Sequence, residues 1–338
     1  MQVLRIFAGR SVNNVEIKLV TPSPIHTYSG MVPGVVAGHY AVADAQIDVA
    51  ALARRARVDL ILDRAVSFDS KQVRLEKNEP LAFDLLSLNL GSIPDYVGVP
   101  GAREHAIGAK PFETFLGRWN ELRLKRPHIA VAGAGAAGVE LAMAMKYAGA
   151  GEVSLYSDRN VLPQSVLVRI LRALKGFSID FRADTPVTAV EPGPTVISRG
   201  GREKFDALFW AAGAAAPPLL RESGLRTDKA GFALTDSSLR SVSHPAVFAA
   251  GDTATLEAAA HPKSGVYAVR HGAVLAENLR RVARGEPLNQ YRPQDQQLAL
   301  ISCGAKYAIA SRGGWSAEGA WAWRWKDWID RRWIARFR

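Results

Sequence analysis

The stretch His128-Ile-Ala-Val-Ala-Gly-Ala-Gly-Ala-Ala-Gly-Val-Glu-Leu-Ala-Met-Ala-Met145 constrains the fold more than any other. Ile129 to Ala132 has the character of a short buried strand; Gly133-x-Gly135-x-x-Gly138 follows, and a helix-forming run comes next. Strand, glycine turn and helix in that order predict a dinucleotide site. Gly133 permits the tight turn, Gly135 lets the backbone approach a pyrophosphate, and Gly138 lets the helix pack close to the strand, its N-terminus facing the phosphates. Alanine-rich buried helices also carry glycines. A second predicted strand directly after the helix, Glu152 to Tyr156, favours nucleotide binding over mere packing.

A chain of 338 residues, 48% of them apolar, is large enough for two packed cores. No apolar run approaches the roughly 20 residues that cross a bilayer, and no secretory signal opens the chain. A cytoplasmic protein is expected. Cys303 is the only cysteine, which excludes an internal disulfide, a Cys-x-x-Cys redox pair and a zinc site built from several thiolates. Any electron transfer must therefore use a bound cofactor. The seven histidines show no metal-ligand spacing, and no metal is expected. The net charge of +11 is uneven: residues 321–338 hold six Arg or Lys against two Asp. That concentration points to an anionic surface rather than to nucleic acid.

In chain order, Met1 to Ala8 reads as a helix and Glu16 to Val20 as a strand, a βαβ unit without its first strand. Ile25 to Tyr40, rich in glycine and aromatics, suits either a connector or close approach to a flat ligand. Ile47 to Ala56 reads as a helix. Asp59 to Ala65, Val66 to Phe68 and Gln72 to Glu76 read as short strands in a meander, and Phe83 to Ser92 as a buried strand ending in a glycine turn. Lys110 to Leu122 is predicted helical. The next unit has strands near Ile129, Val153, Ile179 and Val187, a helix from Ser165 to Leu174, and the strand Phe205 to Gly213. Pro245 to Asp252 repeats the pattern of apolar strand, glycine and carboxylate. Such a carboxylate suits a ribose or ribityl hydroxyl, or caps a helix. Lys263 to Gly272 opens a long helix that runs to Ala283.

With these residues in place, the chain resembles the two-dinucleotide-binding-domain flavoproteins of the pyridine nucleotide-disulfide oxidoreductase superfamily. The matches are Gly133-x-Gly135-x-x-Gly138-x-Glu140, Ala211-Ala-Gly213 and Phe248-Ala-Ala-Gly-Asp252 with the helix after it. Tyr28-Ser-Gly-Met-Val-Pro-Gly34, Leu88-Asn-Leu-Gly-Ser92, Lys263-Ser-Gly-Val-Tyr267 and Trp323-Arg-Trp-Lys-Asp-Trp328 are similar to the branch related to type II NADH dehydrogenases. That branch includes the oxidoreductase half fused to selenide, water dikinase. The resemblance implies an α/β fold of two Rossmann-like, three-layer domains, the NAD(P) domain (residues 116–235) inserted in the FAD domain (1–115 and 236–300), with an amphipathic C-terminal segment (301–338). It implies that FAD meets Gly91, Gly251, Asp252 and the helix start Ser264, Gly265 and Val266. NAD(P)H would meet Gly133, Gly135, Gly138, Glu140 and Gly213, with Glu140 near the nicotinamide. The implied activity is a flavoprotein oxidoreductase that passes hydride from NAD(P)H to FAD and electrons to a quinone or another small acceptor. The alternative is a flavin- or nucleotide-binding module docking to a partner such as a selenophosphate-synthesis enzyme.

Three departures shape the expectation. Sulfide-oxidising relatives and disulfide reductases need paired cysteines, so those activities are disfavoured, and Cys303 reads as a small buried thiol. Type II NADH dehydrogenases place glutamines on the helix near the quinone, where this chain has Val266 and His271. At the position where an acid usually holds the NAD ribose stands Ser157, followed by Asp158 and Arg159, which leaves NADH and NADPH both open.

Trp321, Trp325 and Trp328 share one face of a C-terminal helix, with basic residues around them, which predicts peripheral contact with the inner face of a membrane through Trp321 to Arg338. The competing reading packs this helix on its own domain or on a second copy of the chain. In the resembling family a strand and a glycine-rich turn precede a helix like Gln2 to Ala8. The expectation is therefore that the first strand of the FAD domain is missing because the chain as given begins after it.

Overall fold

The computed structural model describes residues 1–9 and 15–338. Helix α1 (Gln2–Gly9) leads to strand β1 (Lys18–Thr21). Helix α2 (Val49–Ala56) starts where the Asp48 carboxylate accepts the Ala51 amide at 2.7 Å and stops at Arg57, which turns into the left-handed region at φ 54°. It is two residues shorter than its sequence pattern because Gln46–Asp48 pair with Ile25–Thr27 as strand. Strand β2 (Asp59–Leu62) runs parallel to β1 and so lies outside the expected meander, which is formed by 65–82 alone. Of the predicted strand 83–92 only β3 (Leu86–Leu88) is extended enough to pair.

Strand β4 (Ile107–Gly108) and helix α3 (Phe112–Leu122) open the central domain. It continues through β5 (His128–Ala132), helix α4 (Ala136–Tyr147), β6 (Glu152–Tyr156), helix α5 (Gln164–Gly176), β7 (Asp180–Arg182) and β8 (Ala207–Trp210). The five parallel strands order as β7-β6-β5-β8-β4, an open wound sheet with an antiparallel ribbon, 187–204, inserted before β8. Ile129, Val131, Leu155 and Phe209 are completely enclosed, as expected for strands covered on both faces. Helix α5 turns Val166, Ile170 and Leu174 inward at a spacing of four. Helix α4 is buried around most of its circumference, and its neighbours explain why.

Strand β9 (Val247–Ala249) pairs in parallel with β3, and the chain then enters the long helix α6 (Gly265–Ala283). Among the described residues the β1–β2 and β3–β9 pairs are separate two-stranded sheets. Helix α1 packs between α2 and α6, with Leu4 and Phe7 turned into their shared core.

The segment after residue 298 contains more than a helix. An antiparallel sheet, β10 (Ala299–Ser302), β11 (Ala308–Arg312) and β12 (Trp315–Gly319), precedes helix α7 (Ala320–Ala335). Ile301, Cys303 and Ile309 enter the core of the central domain, so this sheet covers the side of α4 that β5 does not. Arg169 on α5 fixes the other end, donating to Ser316 Oγ and its carbonyl, both at 3.1 Å. Helix α7 lies on α1, α2 and α6 through Ile334 and the following Phe337.

Candidate functional site: two glycine turns and the charged groups between them

The glycine turn after β5 is shaped by three different constraints. Gly133 has φ +100°, and a Cβ there would lie 2.6 Å from the Ala212 backbone at the end of β8. A Cβ on Gly138 would overlap the Gly133 carbonyl oxygen, so only glycine lets α4 reach its turn. Gly135 has open space instead: the nearest atom to an added Cβ is Val161 Cγ2 at 3.8 Å. It caps α4 without a side-chain hydrogen bond, and the first turn holds no acid. The first amides of α4, with their partial positive charge, remain available to a phosphate. These features fit a pyrophosphate.

Gly213, with φ +64°, continues from that turn, and a Cβ there would meet Asp95 Cβ at 2.7 Å. Its loop is tied to residues 93–95 by paired backbone hydrogen bonds between Ile93 and Ala215, both 2.9 Å. Two residues earlier the second group begins. Gly91, with φ +72°, donates its amide to Thr253 Oγ1 at 2.9 Å, and Ser92 Oγ donates to Asp252 Oδ2 at 3.1 Å. Lys110 joins them, donating to Ser92 Oγ at 2.8 Å and to Asp252 Oδ2 at 3.3 Å. Asp252 therefore caps no helix through its side chain. Its Oδ1 has no protein partner among the described residues and is free to accept a hydroxyl, which fits a ribityl or ribose chain. A Cβ on Gly251 would lie 3.3 Å from Ala268, which brings the start of α6 against this group. Ser264 turns its hydroxyl to Gln297 rather than capping α6, so the helix N-terminus is open, with Gly265 and the part-exposed Val266 beside it.

Beside Gly251, His261 and His271, both in the segments expected to hold the flavin, form a pair that their spacing does not predict. The Gly251 amide donates to His271 Nδ1 at 3.1 Å, which leaves the His271 proton on Nε2. That Nε2–H donates to His261 Nε2 at 3.2 Å, and His261 Nδ1–H donates to the Pro262 carbonyl at 3.1 Å. This one-way chain fixes both tautomers, with Tyr267 stacked on His261 and Tyr291 edge-on to His271. Burial, then the neighbouring His261 and Lys263, push His271 down to about 4. Burial likewise pushes Lys263 down to about 8, its ammonium held by the Ala254 carbonyl and Thr255 Oγ1 at 2.6 and 2.8 Å.

A stability prediction follows from His271. The unfolded imidazole binds a proton below its ordinary 6.5, whereas the folded one resists down to about 4. The contribution is thus whole above pH 6.5 and is lost as pH falls towards 4, a window worth about 3 kcal/mol. Denaturant unfolding at pH 7 and pH 4.5 should show His271→Asn, which keeps an acceptor for Gly251 but cannot titrate, with a flatter pH dependence than the parent. Equal slopes would contradict the assignment.

Glu140, one and a half turns along α4 from Gly135, faces the C-terminal segment. Its carboxylate accepts the Ser302 amide of β10 at 2.8 Å. Burial pushes this carboxyl up, more strongly than the nearby Lys326 ammonium and the Ser302 hydrogen bonds draw it down. Lys326 on α7 donates to the Gly30 carbonyl at 2.7 Å and to Asp330 at 2.8 Å, and Tyr28 donates to Asp330 at 3.2 Å. Burial works against the Lys326 charge, but Glu140 and Asp330 outweigh it and hold the ammonium above the ordinary lysine range. The expected site residues thus fall into two touching groups, Gly133, Gly135, Gly138 and Gly213 in one and Gly91, Gly251, Asp252 and the start of α6 in the other. Glu140 stands apart with Lys326, Asp330 and Ser302. Cys303 is buried beside that group, and burial pushes its thiol up to about 12.

The profile of the pyridine nucleotide-disulphide oxidoreductase family matches residues 4–272. This chain belongs to that family. It is accordingly an FAD- and NAD(P)H-dependent oxidoreductase. The NADH dehydrogenase-like protein YutJ of Bacillus subtilis is 25% identical over 306 residues, 87% of this chain and 84% of that protein. The type II NADH:quinone oxidoreductase of Staphylococcus aureus is 23% identical over 87% of this chain and 82% of its own. Two solved structures share the fold. The sulfide:quinone oxidoreductase of Aquifex aeolicus has TM-score 0.82 and 16% identity, covering 99% of this chain and 89% of that one. NDH2 of Plasmodium falciparum, in complex with NADH, has TM-score 0.77 and 14% identity, covering 100% and 97%.

Proposed function

We propose that this oxidoreductase takes hydride from NAD(P)H at the Gly133–Gly138 turn and passes electrons through FAD, held against Gly91, Asp252 and the start of α6, to a quinone. The pairing of Ile93 with Ala215, which ties the loop at Gly213 to the segment that begins at Gly91, carries this reading, because it sets the two cofactor groups side by side. FAD, when bound, supplies a ring that accepts hydride and can release electrons to a second substrate. The open N-terminus of α6 offers partial positive charge to an electron-rich ring, and Lys110 neutralises Asp252 while leaving one carboxylate oxygen for a hydroxyl. Gly133 and Gly213 let the two strand-end turns pack closely, against the Ala212 backbone and Asp95 respectively. The relatives are named for redox activity, which favours turnover over a docking module, and the lone buried Cys303 supports quinone rather than sulfide or disulfide chemistry.

The quinone reading extends to a lipid surface. Helix α7 buries Ala322, Asp330 and Ile334 against the protein, while Trp321, Trp325 and Trp328 are 41%, 39% and 56% exposed on its outer side. Both sequence readings of this helix therefore have support, one on each face. No helix among the described residues is long and apolar enough to cross a membrane. Outward tryptophans with Arg324, Arg332 and Arg336 suit the headgroup layer.

One experiment tests both parts. The protein mixed with FAD should lose its flavin absorbance anaerobically on addition of NADH or NADPH, and regain it when a quinone in anionic vesicles is added. Replacing Trp321, Trp325 and Trp328 with serine should weaken co-sedimentation with the vesicles and leave the bleaching intact. Flavin that is held but bleached by neither donor would sink the oxidoreductase reading. Unchanged co-sedimentation would sink the membrane face alone.

A further inference from the structure

The position that sorts NADH from NADPH lies at the end of β6, and it is firmly placed. The Tyr156 carbonyl accepts the Gly133 amide at 2.9 Å, which seats the strand end beside the glycine turn. Ser157 comes next: its amide donates to the Arg182 carbonyl at 3.0 Å and its own carbonyl accepts Thr185 at 2.6 Å. An Asp or Glu at this place accepts the ribose hydroxyls of NADH and repels a 2′-phosphate. Here the side chain is a neutral hydroxyl, 4% exposed, that donates to the Arg159 carbonyl at 3.0 Å and thereby folds the following loop.

That loop passes over the phosphate turn, since Val161 is the nearest group above Gly135. Among the described residues Arg182 and Arg159 lie beside Ser157, and only Arg159 is free to bind. Arg182 is engaged by Asp180, Glu203 and the Tyr156 hydroxyl. Arg159 has a side chain 79% exposed, and its only ion pair among the described residues is with the adjacent Asp158 at 3.8 Å. Such an exposed pair is weak and yields readily to a dianionic phosphate, which a guanidinium grips with two charge-assisted hydrogen bonds. Asp158, also exposed, is the competing ligand: its carboxylate would serve a ribose hydroxyl instead.

We propose that this chain selects NADPH over NADH, with Ser157 removing the charge that would exclude a 2′-phosphate and Arg159 binding that phosphate. This rests on the reading of the Gly133–Gly138 turn as the dinucleotide site. The test needs neither flavin nor turnover. The protein is titrated calorimetrically with 2′,5′-ADP and with 5′-AMP, which differ only in the 2′-phosphate. 2′,5′-ADP should bind about tenfold tighter or better, with the preference shrinking as salt is raised. Arg159→Gln should bring the two affinities together by weakening 2′,5′-ADP alone, and Ser157→Asp should reverse the preference. 5′-AMP binding as tightly as 2′,5′-ADP would overturn the proposal and leave the dinucleotide site standing. A preference that survives Arg159→Gln would overturn the role of Arg159. Binding of neither nucleotide would sink the dinucleotide reading itself, and this proposal with it.

Discussion

Gly138→Ala is expected to cost this protein both stability and nucleotide binding, whereas Gly135→Ala, three residues away, should cost binding alone. The added methyl at 138 would overlap the Gly133 carbonyl oxygen, an atom of the backbone that cannot rotate aside. Helix α4 would have to move off its turn, and because α4 is sandwiched between the parallel sheet and β10, the movement would disturb two interfaces at once. Overpacking of this kind costs about 1–3 kcal/mol. The same displacement carries the first amides of α4 away from the pyrophosphate, so affinity for NAD(P)H should fall by roughly a hundredfold, the equivalent of about 3 kcal/mol. At Gly135 an added methyl meets nothing closer than Val161 at 3.8 Å and suits the local φ of −69°, so folding should be unaffected within about 0.5 kcal/mol. The methyl would, however, occupy the space open to the phosphate. Denaturant midpoints and nucleotide titrations on the two variants separate the effects. Parental stability and affinity in Gly138→Ala would refute the assigned packing role.

These two glycines also show what a sequence makes legible. Their roles are set within six residues of chain by one turn and one helix end, so the spacing alone carried them. The strand-end glycines 91, 213 and 251 were visible for the same reason, each closing a short apolar run with positive φ. The groups that surround them were harder to foresee because they come from distant parts of the chain. Lys110 reaches Asp252 only after the central domain has been inserted between them, and nothing in the local pattern of Lys110-Pro-Phe marks it. The His261–His271 chain depends on the loop before α6 folding back onto the helix, a geometry that a spacing of ten residues does not encode. The sheet β10 to β12 is not legible in the sequence for a compositional reason. Its strands are short, rich in alanine and serine, and draw their apolar partners from α4 and α5 rather than from alternation within themselves. Glu140 stands out by its place in the glycine motif, but the Ser302 amide that it accepts and the nearby Lys326 charge belong to that sheet and to the helix after it.

Lys326→Met should therefore be among the most damaging single substitutions outside the cofactor groups, and the loss should depend on pH. The Lys326 side chain is 14% exposed and that of Asp330 is 6%, so both charges have given up most of their hydration. Three carboxyls, Glu140, Asp330 and Asp327, act on this one ammonium, Glu140 and Asp330 most strongly. Methionine fills much of the same volume but supplies no charge and no donor, leaving Asp330 with the Tyr28 hydroxyl and the Gly30 carbonyl without the lysine. Removing one member of a buried ion pair typically costs about 3–5 kcal/mol, because the remaining charge stays desolvated. Glu140 already sits above the ordinary carboxylate range, and loss of the cation would raise it further. Protonation relieves the stranded carboxyls, so the variant's deficit should be largest near pH 8 and shrink towards pH 5. Chemical denaturation of the parent and the variant at both values measures this directly. The Gly30 carbonyl and the Tyr28–Asp330 hydrogen bond also tie α7 to the loop at Gly30, so the variant should loosen the C-terminal helix before the central sheet unfolds, visible as earlier amide exchange in 320–335. A pH-independent deficit, or none, would mean that Glu140 and Lys326 are solvated independently and that α7 is held by Ile334 and Phe337 alone.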